Sequence, residues 1–248
     1  MYKNKKVSVV IPAYNEEDLI ESTVLTVPKF VDKIVVINDA SIDTTKSILN
    51  KIDLKNLVVI NHKKNKGVGA AIVSGYKYSV KNDIDYTVVI GADGQMAPQE
   101  LKPMLNFIIK KDLDYVKGNR FLKPWTLIDM PITRLLGSLA LNIMTKVATG
   151  YYFIGDPQSG YTIVSLNTLK KLDLDKIYPR YGYPNDMLGK LSKINAKVRD
   201  FPISAIYKDE ESGLKPLKII IPYTKLLVNI YKERKGLWLQ KKHLISLS

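Results

Sequence analysis

Cysteine is absent from the 248 residues. Its absence excludes disulfides, thiolate zinc sites and a cysteine nucleophile, and it fits a cytosolic protein. Histidine occurs only at His62 and His243, too few for a multi-histidine metal site. No run of about 18 uninterrupted apolar residues occurs, so no bilayer-spanning helix is expected. The most apolar long segment, Ile132 to Thr149, carries Arg134, Asn142 and Lys146 and reads as a core helix. The opening Met1-Tyr2-Lys3-Asn4-Lys5-Lys6 lacks the apolar stretch of a signal peptide. There is no internal repeat and no low-complexity tract.

Acid is in short supply: 24 Asp and Glu face 38 Lys and Arg, for a net charge of +14. Such an excess suits nucleic acid, an anionic membrane surface or phosphorylated substrates. A hydrophobic share of 46% and a charged share of 25% are those of an ordinary soluble chain. The length allows one large domain or two small halves.

Short β-branched runs alternate with helical stretches. Val7 to Ile11, Ile34 to Ile37, Leu57 to Ile60 and Ile84 to Ile90 read as strands. Helices are expected from the charged Asn15-Glu16-Glu17-Asp18 to about Val27, after Asp43 as N-cap, and from near Ala70. Strand and helix at this spacing imply right-handed βαβ units and a parallel sheet. Beyond Pro98 the pattern loosens. Helices are expected over Pro98 to Lys110, Ile132 to Thr149 and Met187 to Lys193, the last capped by Asn185; strands are expected over Tyr115 to Gly118, up to Val164, and over Val198 to Tyr207. A boundary near 96–100 divides a regular half from a mixed one, with one sheet continuing across it.

The organising stretch is Thr87-Val88-Val89-Ile90-Gly91-Ala92-Asp93-Gly94-Gln95-Met96. An apolar strand stops at a small-residue turn bearing the Asp93 carboxylate and the Gln95 amide oxygen. Ligands of open α/β sheets bind just beyond the carboxyl ends of the strands. Two hard oxygen donors there suit Mg²⁺ or Mn²⁺ held together with substrate phosphates. The competing reading is a plain turn, with Asp93 bonded to its own backbone. Two other strand ends, Ala13-Tyr14-Asn15-Glu16 and Asn38-Asp39-Ala40-Ser41, deliver polar groups to the same edge. Three such ends make a nucleotide-binding crevice. His62 is expected as a loop residue.

Val9-Val10-Ile11-Pro12-Ala13-Tyr14-Asn15-Glu16, Asn38 to Asp43, Lys66-Gly67-Val68-Gly69-Ala70-Ala71 and Ala92-Asp93-Gly94-Gln95 resemble family-two glycosyltransferases of the GT-A fold, an α/β fold with a Rossmann-like, mostly parallel central sheet. The Asp-Gly-Gln element and the second half resemble the dolichyl- and polyprenyl-phosphate sugar transferases, dolichol-phosphate mannosyltransferases among them. The resemblance runs from about residue 6 to about residue 220 and is looser in its second half. It implies that Pro12, Tyr14 and Glu16 line the base and ribose pocket, that Asp39 recognises the base, and that Lys66 stands at the glycine-rich helix start. Asp93 and Gln95 would hold the ion on the donor diphosphate. Gly118-Asn119-Arg120-Phe121 matches a Gly-Ser-Arg-Phe-like element, so Arg120, Arg134 and Lys215 are the implied acceptor-phosphate contacts; arginine forks suit that group. Asp156, in Asp156-Pro157-Gln158-Ser159-Gly160-Tyr161, would lie near the transferred sugar. Asp186 falls where hydroxyl-accepting relatives carry a base. The family commonly has Asp-Ala-Asp where this chain has Gly91-Ala92-Asp93.

The resemblance divides the chain into residues 1–213, a glycosyltransferase domain with a nucleotide-sugar half (1–97) and an acceptor half (98–213), and residues 214–248, a basic amphipathic segment. Lys218, Lys225 and Lys232 recur at intervals of seven beside Leu217, Ile220, Ile221, Leu227, Val228 and Tyr231. Such a helix can lie in an anionic membrane interface or pack on the domain with its lysines in water; Pro222 would kink it or begin a second helix. The expectation is an inverting, metal-dependent transferase moving a sugar from GDP-mannose or a UDP-sugar to a lipid phosphate, peripheral at the cytoplasmic membrane face. Its rivals are transfer to a glycan hydroxyl with Asp186 as base, and nucleotide-sugar binding without turnover, motivated by Gly91. Nucleic acid accounts for the charge but not for the acidic edge, and is not an expected partner.

Overall fold

The computed structural model describes residues 1–92, 94, 97–123, 132–204 and 216–245. Four strands come first: β1 (Val7–Ala13), β2 (Lys33–Asn38), β3 (Leu57–Asn61) and β4 (Tyr86–Val89). Between them run α1 (Ile20–Leu25), α2 (Thr45–Lys51) and α3 (Val68–Lys81). The second half adds α4 (Leu101–Lys110), β5 (Tyr115–Asn119), α5 (Ile132–Thr149), β6 (Thr162–Ser165), α6 (Leu166–Lys171), α7 (Tyr183–Lys193), β7 (Val198–Pro202) and α8 (Pro216–Ile245).

The seven strands form one sheet in the order β3-β2-β1-β4-β6-β5-β7. β6 runs antiparallel to both β4 and β5, and the remaining pairs are parallel. The β4–β6 ladder carries the sheet across the expected boundary. Side chains of β1 and β2 alternate between two cores. Val7, Val9, Ile11, Ile34 and Val36 pack with α1 and α4, whereas Val10, Val35 and Ile37 pack with α3 and α7. A sheet covered on both faces needs apolar residues at every strand position, which is why these strands read as unbroken apolar runs.

The strand order reverses between β1 and β4, which run parallel, and ligands of such sheets bind at that switch point. Ala13 pairs with Asn38, and Val10 with Val89, so the three strands end at one edge. Several boundaries differ from the sequence expectation. α1 begins only at Ile20, because Asn15 to Glu17 spend their polar groups on the neighbouring loop. α7 begins four residues before Met187, with Gly182 at its N-cap and Asn185 buried inside its first turn. β7 ends at Pro202, and the expected strand residues 205–207 lie outside the described ones. α6 follows β6 directly, capped by Ser165 through the Thr168 N–H at 3.3 Å.

α8 continues through Pro222 as one helix. Tyr223, Leu227 and Ile230 form its buried face, packed on Ala148 of α5. Ile230 meets Gly189 of α7 so closely that a Cβ there would lie 2.8 Å from it. Lys193 pairs with Glu233, and Arg234 donates to the Val147 carbonyl at 2.8 Å. Lys225, Val228, Lys232 and Lys235 face solvent. Among the described residues no helix is long and apolar enough to cross a membrane.

Candidate active site at the sheet edge

The loops after β1 and β2 form one interlocked unit. Asn15 at φ 57° and Ala40 at φ 62° turn the chain. The Asn15 N–H donates to Ser41 Oγ at 3.1 Å, and Asn15 Oδ1 accepts from the Ile42 N–H at 3.0 Å. The Glu16 N–H reaches Thr45 Oγ1 at 2.8 Å, and the Thr44 N–H reaches Glu17 Oε2 at 3.0 Å. Asp43 Oδ1 accepts the Thr45 N–H at 3.0 Å, but the N-cap of α2 is Thr44, one residue after the expected Asp43. Pro12 and Glu16 are half-buried, and Tyr14 stands 43% exposed over the edge.

Asp39 is the buried hub of this edge. Its Oδ1 lies 2.6 Å from His62 Nδ1 and accepts the Lys66 N–H at 2.9 Å; its Oδ2 accepts the Gly67 N–H at 2.7 Å. His62 does follow β3 in a loop, but its side chain is only 5% exposed. Nothing in the sequence marked it, since a lone histidine beside Asn61 and Lys63 looks like ordinary polar loop. The Lys66 side chain is exposed and its backbone makes the contact. Gly67 has φ 96° and Gly69 leaves room for the Tyr178 carbonyl, which a Cβ would approach to 2.2 Å. The glycine-rich segment thus packs against the turn before α7.

β4 leads to Gly91 and Ala92, and the Ala92 carbonyl accepts Thr23 Oγ1 at 3.0 Å. Asp93 and Gln95, the expected metal holders, lie outside the described residues. Among the described residues no group of three or more acidic or histidine side chains gathers. The fit therefore rests on donor chemistry. One carboxylate and one amide oxygen are hard ligands that leave most positions around Mg²⁺ or Mn²⁺ to phosphate oxygens and water. That set suits an ion arriving with a diphosphate.

Arg120 and Asp156 come together as a forked ion pair. Arg120 Nε donates to Asp156 Oδ2 at 2.6 Å and its second nitrogen to Oδ1 at 3.0 Å. Asp156 is fully buried. Beneath it lies Lys117 of β5, also fully buried, with Nζ donating to the Ser159 carbonyl at 2.5 Å. Burial pulls the Lys117 ammonium down to about 8, against the opposing pull of Asp156 and Asp200. Asp200 Oδ2 accepts the Gly155 N–H at 2.6 Å and Asn119 Nδ2 at 2.5 Å. It thereby ties together the residues just before Asp156 and Arg120. Burial raises the Asp200 carboxyl, partly offset by these two donors and by Lys117. Its Oδ1 is buried with no hydrogen-bond partner among the described residues. Lys117 and Asp200 were missed because each sits in a short strand and its partners come from distant parts of the chain.

Asp186 is 4% exposed and opens on a cleft of about 180 Å³ between α7 and α8, lined also by Lys176, Lys190 and Glu233. Its Oδ2 accepts the Tyr178 N–H at 2.8 Å, and Lys190 lies 3.8 Å from Oδ1. Burial raises its carboxyl. The residue of α7 that meets the Asp156–Tyr161 loop is Asn185. Its Oδ1 accepts Gln158 Nε2 at 3.2 Å and the Tyr223 hydroxyl at 2.5 Å, while its amide nitrogen donates to Thr145. The Tyr223 hydroxyl also approaches Gln158 Oε1 at 2.5 Å. This network joins α5, α7, α8 and the loop. Arg134 lies on α5 with its side chain outside the described set, and Lys215 falls outside the described residues altogether.

Residues 8–163 match the family described as glycosyl transferase family 2. The chain is 31% identical over 221 residues to the UDP-N-acetylglucosamine–dolichyl-phosphate N-acetylglucosaminyltransferase of Methanococcus voltae, covering 83% of this chain and 88% of that one. It is 26% identical over 212 residues to the undecaprenyl-phosphate mannosyltransferase of Micrococcus luteus, covering 82% and 85%. Among solved structures it resembles glucosyl-3-phosphoglycerate synthase from Mycobacterium tuberculosis in complex with Mn²⁺, UDP and glucosyl-3-phosphoglycerate. The TM-score is 0.68 at 18% identity, over 94% of this chain and 81% of that one. The fold is accordingly the GT-A fold expected from the sequence.

Proposed function

Because the chain belongs to glycosyl transferase family 2, we propose that it moves a sugar from a nucleoside-diphosphate donor to a dolichyl or polyprenyl phosphate, with inversion. The observation that carries the donor half is the meeting of three parallel strand ends at the β1/β4 switch point, with Asp39 held in the middle by loop N–H groups. Support for the acceptor half comes from the relatives, which are named for dolichyl and undecaprenyl phosphates, and from the Arg120–Asp156 pair in the second half. UDP-N-acetylglucosamine and GDP-mannose are the donors to try first.

In this reading Pro12, Tyr14, Glu16 and Asp39 bind the nucleoside, and Lys66 lies near the diphosphate. Asp93 and Gln95 hold Mg²⁺ or Mn²⁺, an ion that offsets charge on the departing nucleoside diphosphate. A phosphate oxygen of the lipid forms the new bond to the anomeric carbon. The bond from that carbon to the diphosphate oxygen breaks, and its electron pair leaves with the nucleoside diphosphate. The acceptor phosphate, whose second pKa is about 6, is already ionised, so no side chain has to remove a proton. Arg120, Arg134 and Lys215 bind it, and Asp156 orients Arg120 and the sugar. Catalysis then consists of positioning and charge stabilisation.

The lipid would be met at the bilayer, and one surface supports that reading. Lys225, Lys232 and Lys235 flank Val228 on α8, and Leu139, Ile143 and Val147 form an exposed apolar stripe on the adjoining α5. Apolar side chains bordered by lysines suit the interface of an anionic membrane. Transfer to a glycan hydroxyl is the second reading, and the raised, buried Asp186 carboxyl favours it as the base. The deciding experiment is a panel of radiolabelled UDP- and GDP-sugars with short prenyl phosphates and with glycan acceptors, with Mg²⁺ or Mn²⁺ and in chelator. Lipid-phosphate product that disappears in Asp93→Ala supports the proposal. Donor binding without product across every acceptor and metal overturns it.

A further inference from the structure

The Arg120–Asp156 pair is assembled from two separate segments. Arg120 follows β5, and Asp156 lies in the stretch between α5 and β6. Arg120 reaches Asp156 with its backbone N–H at 3.3 Å, with Nε at 2.6 Å and with a terminal nitrogen at 3.0 Å. A planar guanidinium bound through two nitrogens to one carboxylate takes its orientation from that carboxylate. Where Asp156 sits, Arg120 follows.

Asp200, on the edge strand β7, holds both partners from behind. It stands opposite Lys117 in the parallel β5–β7 ladder. Its Oδ2 accepts the Gly155 N–H at 2.6 Å and Asn119 Nδ2 at 2.5 Å. One oxygen therefore grips the residue before Asp156 and the residue before Arg120. Each of these is fixed a second time. The Gly155 carbonyl accepts from Asn142 of α5, and Asn119 Oδ1 accepts the Phe121 N–H at 2.9 Å, closing the turn that carries Arg120. A Cβ on Gly155 would lie 2.4 Å from Asn119 Nδ2 and 3.3 Å from Asp200 Oδ2. The two segments thus meet on the carboxylate with no room for a methyl group between them.

We propose that Asp200 is a positioning residue for the acceptor phosphate: by clamping Gly155 to Asn119 it sets the place of Asp156 and, through Asp156, the aim of the Arg120 guanidinium. The inference deepens the acceptor reading above and rests on it. The clamp is remote from the donor strands. β7 stands four places from β1 and three from β4 in the sheet, about 19 Å and about 14 Å at the usual strand spacing. Its loss should therefore be felt by the acceptor and not by the nucleotide.

The test is steady-state transfer to a short prenyl phosphate by the full chain, beside calorimetric titration with UDP and GDP in Mg²⁺. Asp200→Ala is expected to raise the KM for prenyl phosphate about tenfold, by more than kcat falls, and to leave nucleotide affinity within about twofold. Asp200→Asn keeps an oxygen for both N–H groups and should restore that KM to within about threefold of wild type. Should Asp200→Ala not fold, Asn119→Ala opens the same clamp from its other end and should raise the KM by a similar factor. A merely structural role would lower kcat through the active fraction and leave both KM values alone. An unchanged acceptor KM in Asp200→Ala, or in Asn119→Ala where it stands in, overturns the role of Asp200. So does an equal loss of nucleotide affinity, or a KM as high in Asp200→Asn as in Asp200→Ala. No transfer to prenyl phosphate by the wild type overturns the acceptor reading itself, a result separable from the others because it needs no variant.

Discussion

Lys117→Met removes the ammonium group beneath the Arg120–Asp156 pair while nearly preserving side-chain volume. In the wild type the cluster holds two acids and two bases, Asp156, Asp200, Lys117 and Arg120, of which Asp156 and Lys117 are fully buried. With Lys117 at about 8, roughly nine-tenths of it is charged at pH 7. The variant leaves a surplus negative charge in a dry place and strips the Ser159 carbonyl of its donor. Breaking a buried ion pair from one side costs about 3–5 kcal/mol. Asp200 offers a way to lessen this, since burial already raises its carboxyl and its Oδ1 has room for a proton. Loss of Lys117 raises it further, so the folded variant binds a proton that the unfolded chain does not. Stability from such a group is present at acid pH and falls as pH rises through its folded value. The penalty of Lys117→Met is therefore expected to be smaller at pH 5 than at pH 8, where it reaches about 3 kcal/mol, or about 6–12 °C in Tm. Urea unfolding of both proteins at the two pH values measures it. A loss below about 1 kcal/mol, or the same loss at both pH values, would refute the charge inventory.

Tyr223→Phe deletes the hydroxyl that reaches Gln158 and Asn185, and it should lower stability by about 1–3 kcal/mol in thermal unfolding. The same variant should raise the KM for lipid phosphate more than that for the donor, because Gln158 belongs to the Asp156–Tyr161 loop. Asp186→Asn discriminates the two acceptor classes: transfer to a lipid phosphate should fall by about tenfold or less, whereas a base would be worth about 10²–10⁴-fold to a hydroxyl acceptor. Gly69→Ala places a methyl group 2.2 Å from the Tyr178 carbonyl and should cost about 1–3 kcal/mol by overpacking, read as a lowered denaturation midpoint.

The first half of the chain was legible because its signals are local. β-branched runs buried on both faces announce themselves, and the polar residues after each run mark one edge of the sheet. That β1 to β4 form a parallel sheet followed from the alternation of strand and helix, whereas their order did not. The second half was harder, since β6 and β5 pair antiparallel and no short-range pattern specifies which strands meet. Capping misled at two places. Asn15 bonds the loop after β2 instead of a helix start, and Asn185 turns inward to Gln158 and Tyr223. Arg120 and Asp156 were legible as separate site residues, but their pairing joins positions 36 apart in sequence. Lys117, Asp200 and His62 stayed hidden for the same reason. Their roles come from partners brought close by the fold, and each residue in isolation has an ordinary place on a strand or in a loop.

The most direct test of the account is a crystal structure of the chain with its donor nucleotide and Mn²⁺. The diphosphate and the ion are expected beside Asp93 and Gln95 after β4, with the base against Asp39. A nucleotide bound away from the ends of β1, β2 and β4, or an ion with no oxygen from Asp93, would contradict it.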